Sequence, residues 1–551
     1  SEKNGKATYY FFSENDKNKS YKEQTLKSLL FNAYSSDVKN YQVHLQSLEK
    51  KLKKNLTSNF KFGDNLDKQI ITRFNNLNSV IFKKDYSKAL EFFEKDYIVN
   101  YLLALIISAE NGHQNVYANQ QIAYDVATGF FYPFVNWDSQ SDVKRYTESK
   151  SHVLEIMQNY GENTNLPLLS FLTNNEIIKK QLVLRIPEFI NQLKNTNSEI
   201  QKELLEDINK ENYIHYLEKE IKKIPFGKTD ISYFKYENLF RKKNSLARLG
   251  KLSLNKFVFN SGKHLISENL VFPKNIDVLI QPNTEIILKK SISIIIYGSL
   301  DAQGTREYPI HIRSENNESF FGSFAITGGQ QKNIKIKYLN ISNSSEAKIN
   351  GQYLSGGLSL YQFKDIDISN LNITGSNGQD GLNIKYASKC NLENIVIINA
   401  KYDAIDIDSC GSVVGNNIIL NNSDNKYKKD ENGDGFDFSY SKANLKNIKV
   451  NGFRDKGISV GEYSVVSLEE SLIYDNNIGI AVKDNSCLSL LRENKFKNNY
   501  FDLSLYKKKN NYGSGVLILA DKANLKIFKD DKSKIIYQNS KKCLESDQPF
   551  K

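Results

Sequence analysis

Acidic side chains recur at fixed places in the C-terminal half of the chain. Asp406, Asp437 and Ser459 share one position of a repeated segment, and Asp408, Ser439 and Lys483 share the position two residues on. Asp403, Asp434, Asp455, Glu462 and Asp484 flank these positions at the segment ends. Carboxylates held side by side can exchange protons with a substrate or ligate a hard cation such as Ca²⁺. They also repel, so a row of them needs counter-charges, a bound metal or protonation. Lys456 and Lys483 are the counter-charges nearest in sequence. Asp406, Asp408, Asp437, Glu462, Lys483 and Asp484 are therefore the candidate ligand-binding or catalytic groups of this half, with Ca²⁺ as a candidate ion.

The elements that carry them are short and regular. GGLSLYQ (356–362), DGLNIKY (380–386), DAIDIDS (403–409), DGFDFSY (434–440), KGISVGE (456–462) and IGIAVKD (478–484) repeat one pattern. Their small residues Gly357, Gly381, Ala404, Gly435, Gly457 and Gly479 are separated by 24, 23, 31, 22 and 22 residues. One alternating strand every 20–25 residues is the mark of a solenoid of stacked coils. Alternation sends Ile405 and Ile407 into the coil and Asp406 and Asp408 out of it. A second strand set (NLNITG, ENIVIINA, NNIILNNS, KNIKVNG) keeps the same period and often ends in Asn, which suits left-handed turns and hydrogen bonding between coils. Each coil is thus expected to hold at least two strands and a turn, and NNSDNKYKKDEN (421–432) is an insertion that lengthens one period.

Bulk composition sets outer bounds. The 551 residues exceed one ordinary domain, and 40% hydrophobic content with 12% aromatic suffices for buried cores. The formal charge of +12 favours anionic partners such as acidic glycans, and no basic stripe with interleaved aromatics speaks for nucleic acid. No apolar run is long enough to span a membrane. The four cysteines, Cys390, Cys410, Cys487 and Cys543, form no CxxC pair and read as buried coil residues rather than zinc ligands. The opening SEKNGKATYYFF lacks a signal-peptide pattern, which leaves a removed leader or a start inside a longer chain. The Lys, Asn and Ile bias with few cysteines fits an extracytoplasmic bacterial protein.

The N-terminal half has a different texture. ATYYFFS near the start reads as a strand, and residues 21–105 and 138–236 follow a helical period. Between them a deeply apolar helix (LLALII) leads to a polar loop and to a hairpin, QQIAYDV and FFYPFVNWD, turning at Ala127-Thr128-Gly129. The stretch GHQNVYANQQIAYDVATGFFYPFVNWD resembles the secreted CotH-type kinase-like family, matching it at Asn119, Tyr124, Thr128, Gly129 and Pro133. The resemblance covers roughly residues 20–230. It implies a helical, kinase-C-lobe-like domain over 1–238, with Asn119 and Asp138 as ligands for Mg²⁺ or Mn²⁺ bridging ATP phosphates. Asn115 stands where the family has its catalytic Asp, with Glu110 and His113 nearby, and no nucleotide-clamping lobe is evident. The implied domain is a kinase or, on those departures, a pseudokinase.

Residues 239–551 resemble the pectin-lyase-like fold, a right-handed, single-stranded parallel β-helix of about a dozen coils. The phrase QPNTEIILKKSISIIIYGSLDAQGTREYPIHI (281–312) carries the likeness. The resemblance implies lyases that abstract a proton next to a uronate with Ca²⁺ and a basic residue, or hydrolases with paired carboxylates. The fold class expected is multidomain, α plus all-β. The leading expectation is an extracytoplasmic CotH-like kinase or pseudokinase whose β-helix engages a cell-surface glycan or a secreted protein. A β-helix polysaccharide lyase or hydrolase is the alternative, and a non-catalytic adhesion scaffold the third.

Overall fold

The structure, a computed structural model, describes residues 9–12, 64–107, 121–134, 167–185 without 183, and 248–537 without 254, 275, 329–331, 350–351, 424–432, 510–511 and 520–523, and also Cys543. It divides into two compact units, one of residues 7–234 with 348–352 and one of 1–6, 235–347 and 353–551. The expected junction at 238/239 lies outside the described residues.

In the smaller unit the described elements are helices and one small sheet. The helix Asp64–Phe82 buries Ile70, Phe74, Leu77 and Ile81, a three-and-four spacing that gives one apolar stripe. The strands Gln121–Asp125 and Phe130–Phe134 form the expected antiparallel hairpin, and Tyr9–Phe12 adds a third strand beside the first. Asp125 fixes the turn. Its Oδ1 accepts from the Ala127 amide at 2.9 Å and its Oδ2 from Thr128 Oγ1 at 3.1 Å, while Gly129 supplies the left-handed φ of 71°. Asn175 caps the helical turn after Pro167–Thr173, accepting from the amides of Ile177 and Ile178 at 3.1 Å each. Glu110, His113, Asn115, Asn119 and Asp138 lie outside the described residues.

The larger unit is a solenoid with three parallel sheets. The first sheet runs from Leu270–Phe272 through Ile294–Ile296 and Phe324–Thr327, then the early part of Gly356–Ser376 and Asp380–Ala400. It continues through Asp403–Asp408, Phe436–Ser439, Lys456–Gly461, Ile478–Lys483, Phe501–Tyr506 and Ile527–Lys529. The second sheet ends on Lys534–Tyr537 and the third on Lys495–Lys497. The sequence led us to expect at least two strands per coil, and there are three. The one it did not single out is the middle one, as at 412–416 or in Val465–Glu469, where Ser, Gly, Asn and Glu interrupt the apolar alternation. An antiparallel pair, Gly250–Ser253 with Lys256–Phe259, closes the N-terminal end of the solenoid.

Inside, like stacks on like. Leu358, Leu382, Ile405, Phe436, Ile458, Ile480 and Leu503 stand in one fully buried column, each in register with the next. Each such side chain contributes about 1.5–3 kcal/mol of burial. The recurrent small residue has a steric cause: a Cβ on Gly435 would meet the Gly457 carbonyl oxygen at 2.4 Å, and one on Gly457 the Gly479 oxygen at 2.7 Å. At the turn between the second and third sheets Asn370, Asn394, Asn417 and Asn447 all take left-handed φ of 54–58°, or 52° for the last. Their amides chain together, Asn394 to Asn370 at 3.4 Å, Asn417 to Asn394 at 2.6 Å and Asn447 to Asn417 at 3.3 Å. The asparagines at strand ends thus do both things expected of them.

Candidate active site

The first sheet arranges the acidic residues as their spacing required. Asn383, Asp406, Asp437, Ser459, Ala481 and Ser504 form one cross-coil row. Lys385, Asp408, Ser439 and Gly461 form the next, and Lys483 follows the Val482 that pairs with Val460. Asp434 and Lys456 stand just before the strands, and Glu462 and Asp484 just after them.

Their environment differs from the surface ladder the alternation suggested. Asp406, Asp408, Asp437, Glu462, Lys483 and Asp484 are all buried, and the last is fully so. Burial without partners would neutralise these groups, so the counter-charges matter. Lys385 Nζ sits 2.8 Å from Asp408 Oδ2, and Asn383 Nδ2 donates to Asp406 Oδ2 at 2.9 Å. Lys456 Nζ donates to both Asp434 oxygens at 3.1 and 3.2 Å and also contacts Asp455. Glu462 accepts from Ser439 Oγ at 2.6 Å and pairs with Lys509 Nζ at 2.5 Å. Ammonium counter-charge is one of the devices built here, and burial adds a second, a raised pKa at Asp434. Among the described residues no group of three or more His, Cys, Asp or Glu is placed to hold a metal ion.

The electrostatics polarise the seam. Burial alone would lower the Lys385 pKa, but Asp408 and Asp406 outweigh it and hold the ammonium charged. Lys456 is likewise held up by Asp434 and Asp455 against its burial. Burial raises Asp434 to about 6, Lys456 opposing and Asp437 and Asp455 adding to the rise. Glu462 is pushed up by burial yet ends below its ordinary value because Lys483 and Lys509 face it. Burial raises Asp484, which accepts from the amides of Lys508 and Lys509 at 2.8 Å each. Lys508 alone among these lysines is lowered: Lys483 repels its charge, and burial and Lys456 add to the effect.

The chain at 507–509 and 512–513 lies beside this region. Asp484 and Asn485 hold it through the Lys508, Lys509 and Gly513 amides. On that side Tyr440, Tyr463 and Tyr512 form a ring cluster, with centroids 5.9 Å apart for Tyr440 and Tyr463 and 5.5 Å for Tyr463 and Tyr512. Lys509 Nζ lies 6.0 Å from the Tyr512 centroid, within cation–π range. Tyr440 and Tyr463 take left-handed φ of 51° and 60°, and Gln362, Tyr386, Ser409, Glu462 and Asp484 do the same just after the first-sheet strands of other coils.

Several of these groups escape a sequence reading. Asn383 and Lys385 occupy the row positions in DGLNIKY, one coil upstream of the first Asp, and extending the row would have found them. Lys508, Lys509 and Tyr512 belong to KKKNNYG, which has no repeat signal, and only the fold returns it to the first sheet. The cysteines divide. Cys390 and Cys410 are buried coil residues with free thiols, as expected, whereas Cys487 and Cys543 form a disulfide. The pair is 56 residues apart in a tail without repeat pattern, so sequence spacing could not suggest it.

A family model described as a right handed beta helix region matches residues 356–530. The C-terminal half is a right-handed β-helix. Comparison with curated proteins finds no significant match. Solved structures similar to this chain include the A-module of mannuronan C-5 epimerase AlgE4 of Azotobacter vinelandii, at 13% identity over 54% of this chain and 90% of that one, with a TM-score of 0.23. An alginate lyase of Paenibacillus sp. str. FPU-7 is 12% identical over 47% of this chain and 92% of that one, with a TM-score of 0.21. At such TM-scores these likenesses say nothing about activity.

Proposed function

We propose that the β-helix acts on an acidic polysaccharide, removing the proton beside a uronate carboxylate on the face between Asp434–Lys456 and Glu462–Lys483. The observation that carries this reading is the row of small side chains Ser459, Ala481 and Ser504, with buried Lys483 at the end of its strand and Lys508 held by its amide on Asp484. A carboxylate facing an ammonium group loses much of its charge, and the C5–H beside it becomes acidic. Successive coils advance about 4.8 Å, a step comparable to one sugar of an extended chain, so a polymer along the coil axis meets each coil in turn. The overall charge of +12 favours an anionic polymer on approach.

In this mechanism Lys483 faces the substrate carboxylate, while Lys456 stays on Asp434 and Asp455. Lys508, whose pKa the Lys483 charge lowers, is the base that takes the C5 proton. The C–H electron pair forms the C4=C5 double bond as the C4–O glycosidic bond breaks. The leaving oxygen takes a proton from Asp434, which burial keeps protonated up to about pH 6. Lys508 ends with one proton more and Asp434 with one fewer, and solvent restores both. The exposed Lys508 and half-buried Asp455 and Tyr463 mark the rim through which a chain would enter.

Incubation with polymannuronate, polyguluronate and polygalacturonate tests the reading. Ultraviolet-absorbing unsaturated uronide is the expected product. Reducing ends without that chromophore would replace elimination by hydrolysis, and neither product on any acidic glycan would leave a non-catalytic surface protein.

The disulfide Cys487–Cys543 supports an extracytoplasmic location, since such bonds persist in oxidising compartments. A phosphotransfer role for the N-terminal half rests on the sequence resemblance alone. A Mg²⁺- or Mn²⁺-dependent thermal shift with ATP, lost in Asp138→Ala, is its test.

A further inference from the structure

Two coils beyond the charged centre the same sheet changes character. Lys456 pairs with Ile478 and Ile478 with Phe501, so one row runs from the Lys456–Asp434 ion pair to an aromatic ring. One residue earlier the stacking continues from Asp455 through Asn477 to Tyr500, with Ile478 N donating to Asp455 O at 3.0 Å and Phe501 N to Asn477 O at 3.1 Å. On the row of Ser459, Ala481 and Ser504 lead to Phe528. Between the charged centre and the rings Asn477, Ala481 and Ser504 are small or short, and Ile478 is the one large side chain on these rows.

The rings are unusually open. Tyr500 is 70% exposed and Phe528 is 47% exposed. Tyr500 and Phe501 meet edge to face at 4.7 Å, and Phe501 and Phe528 lie 5.8 Å apart. Beside them is a groove of about 840 Å³ lined by Asp475, Asn498, Tyr500, Phe501 and Lys526. Aromatic faces beside amides and an ammonium offer both the C–H stacking and the polar contacts that a sugar uses.

We infer that Tyr500, Phe501 and Phe528 with Lys526 form a distal subsite that holds the same acidic polysaccharide chain whose uronate is processed at the Lys456–Lys483 centre. The inference rests on the proposed polyuronate activity and adds the direction of the chain, along the coil axis toward the C-terminal coils. Two coils separate Lys456 from Phe501, about 10 Å, so only an oligomer of several sugars can occupy both places. The subsite selects for chain length.

The test uses the whole protein and two probes, a uronic acid disaccharide and an octasaccharide, of whichever of polymannuronate and polygalacturonate is bound. Tyr500→Ala and Phe528→Ser, both at exposed positions, should each weaken octasaccharide binding about three- to tenfold with thermal stability unchanged. Disaccharide binding at the charged centre should not move. Unchanged octasaccharide affinity in both variants would overturn the distal subsite, and so would an equal loss on the disaccharide. Failure of the unaltered protein to bind either probe would instead overturn the polyuronate reading beneath it.

Discussion

Lys385 and Asp408 stand on adjacent coils and form an ion pair at 2.8 Å with side chains only 11% and 1% exposed. The pair shows how a stack of outward carboxylates survives burial. Asp406, Asp408, Asp434 and Glu462 are each matched by a lysine or an amide from another coil, which keeps the charge sum small along the coil axis.

The pair therefore behaves as a unit. Lys385→Met should cost about 3–5 kcal/mol, because it leaves the Asp408 carboxylate buried without its counter-charge. The double change Lys385→Met with Asp408→Leu should recover most of that loss. Urea denaturation of the single and double variants gives the comparison, and a double variant as unstable as the single one would show that the pairing is not the cause.

The corner asparagines make a second prediction. Asn417 combines a left-handed φ of 54° with a 2.6 Å bond to Asn394. Asn417→Gly keeps the backbone freedom and loses only this bond and the one accepted from Asn447, for a cost of about 1–3 kcal/mol. Asn417→Val loses both bonds and also strains the turn, adding about 1–3 kcal/mol. Equal stability of the two variants in thermal unfolding would remove the conformational part of the explanation.

How much of this was legible in the sequence depends on the kind of order involved. The register of Asp406, Asp437 and Ser459 could be read directly, because a solenoid copies one coil onto the next and spacing alone sets the row. Burial of the same residues could not be read. Alternation separates the inside of the coil from its outside, but it does not say whether the outside meets solvent. Lys508 and Lys509 reach the seam through a non-repeating segment pinned by Asp484, a contact with no periodic signature. The kinase-like residues Glu110, His113, Asn115, Asn119 and Asp138 fall outside the described residues, so the fold adds nothing to what their letters imply.

Asp434 predicts a pH dependence. Its pKa is raised by burial to about 6, above that of the unfolded chain near 4, so between these values the folded state holds the extra proton. Its contribution to stability is present at the acid end of that window and is lost as pH rises through about 6. Asp434→Asn removes the titration. The difference in Tm between wild type and this variant should change across pH 4–6 and level off above it, and a constant difference would contradict the assignment.

The central claim is that Lys508 and Lys483 form the proton-abstracting centre of a uronate-processing face. The most direct measurement is the rate of unsaturated uronide formation by wild type and Lys508→Met on the best of the acidic polymers. Loss of a positioned general base should lower kcat about 10²–10⁴-fold, with the thermal unfolding of the exposed Lys508 variant unchanged. A Lys508→Met protein that forms product at the wild-type rate, or a wild type that forms none, would contradict the claim.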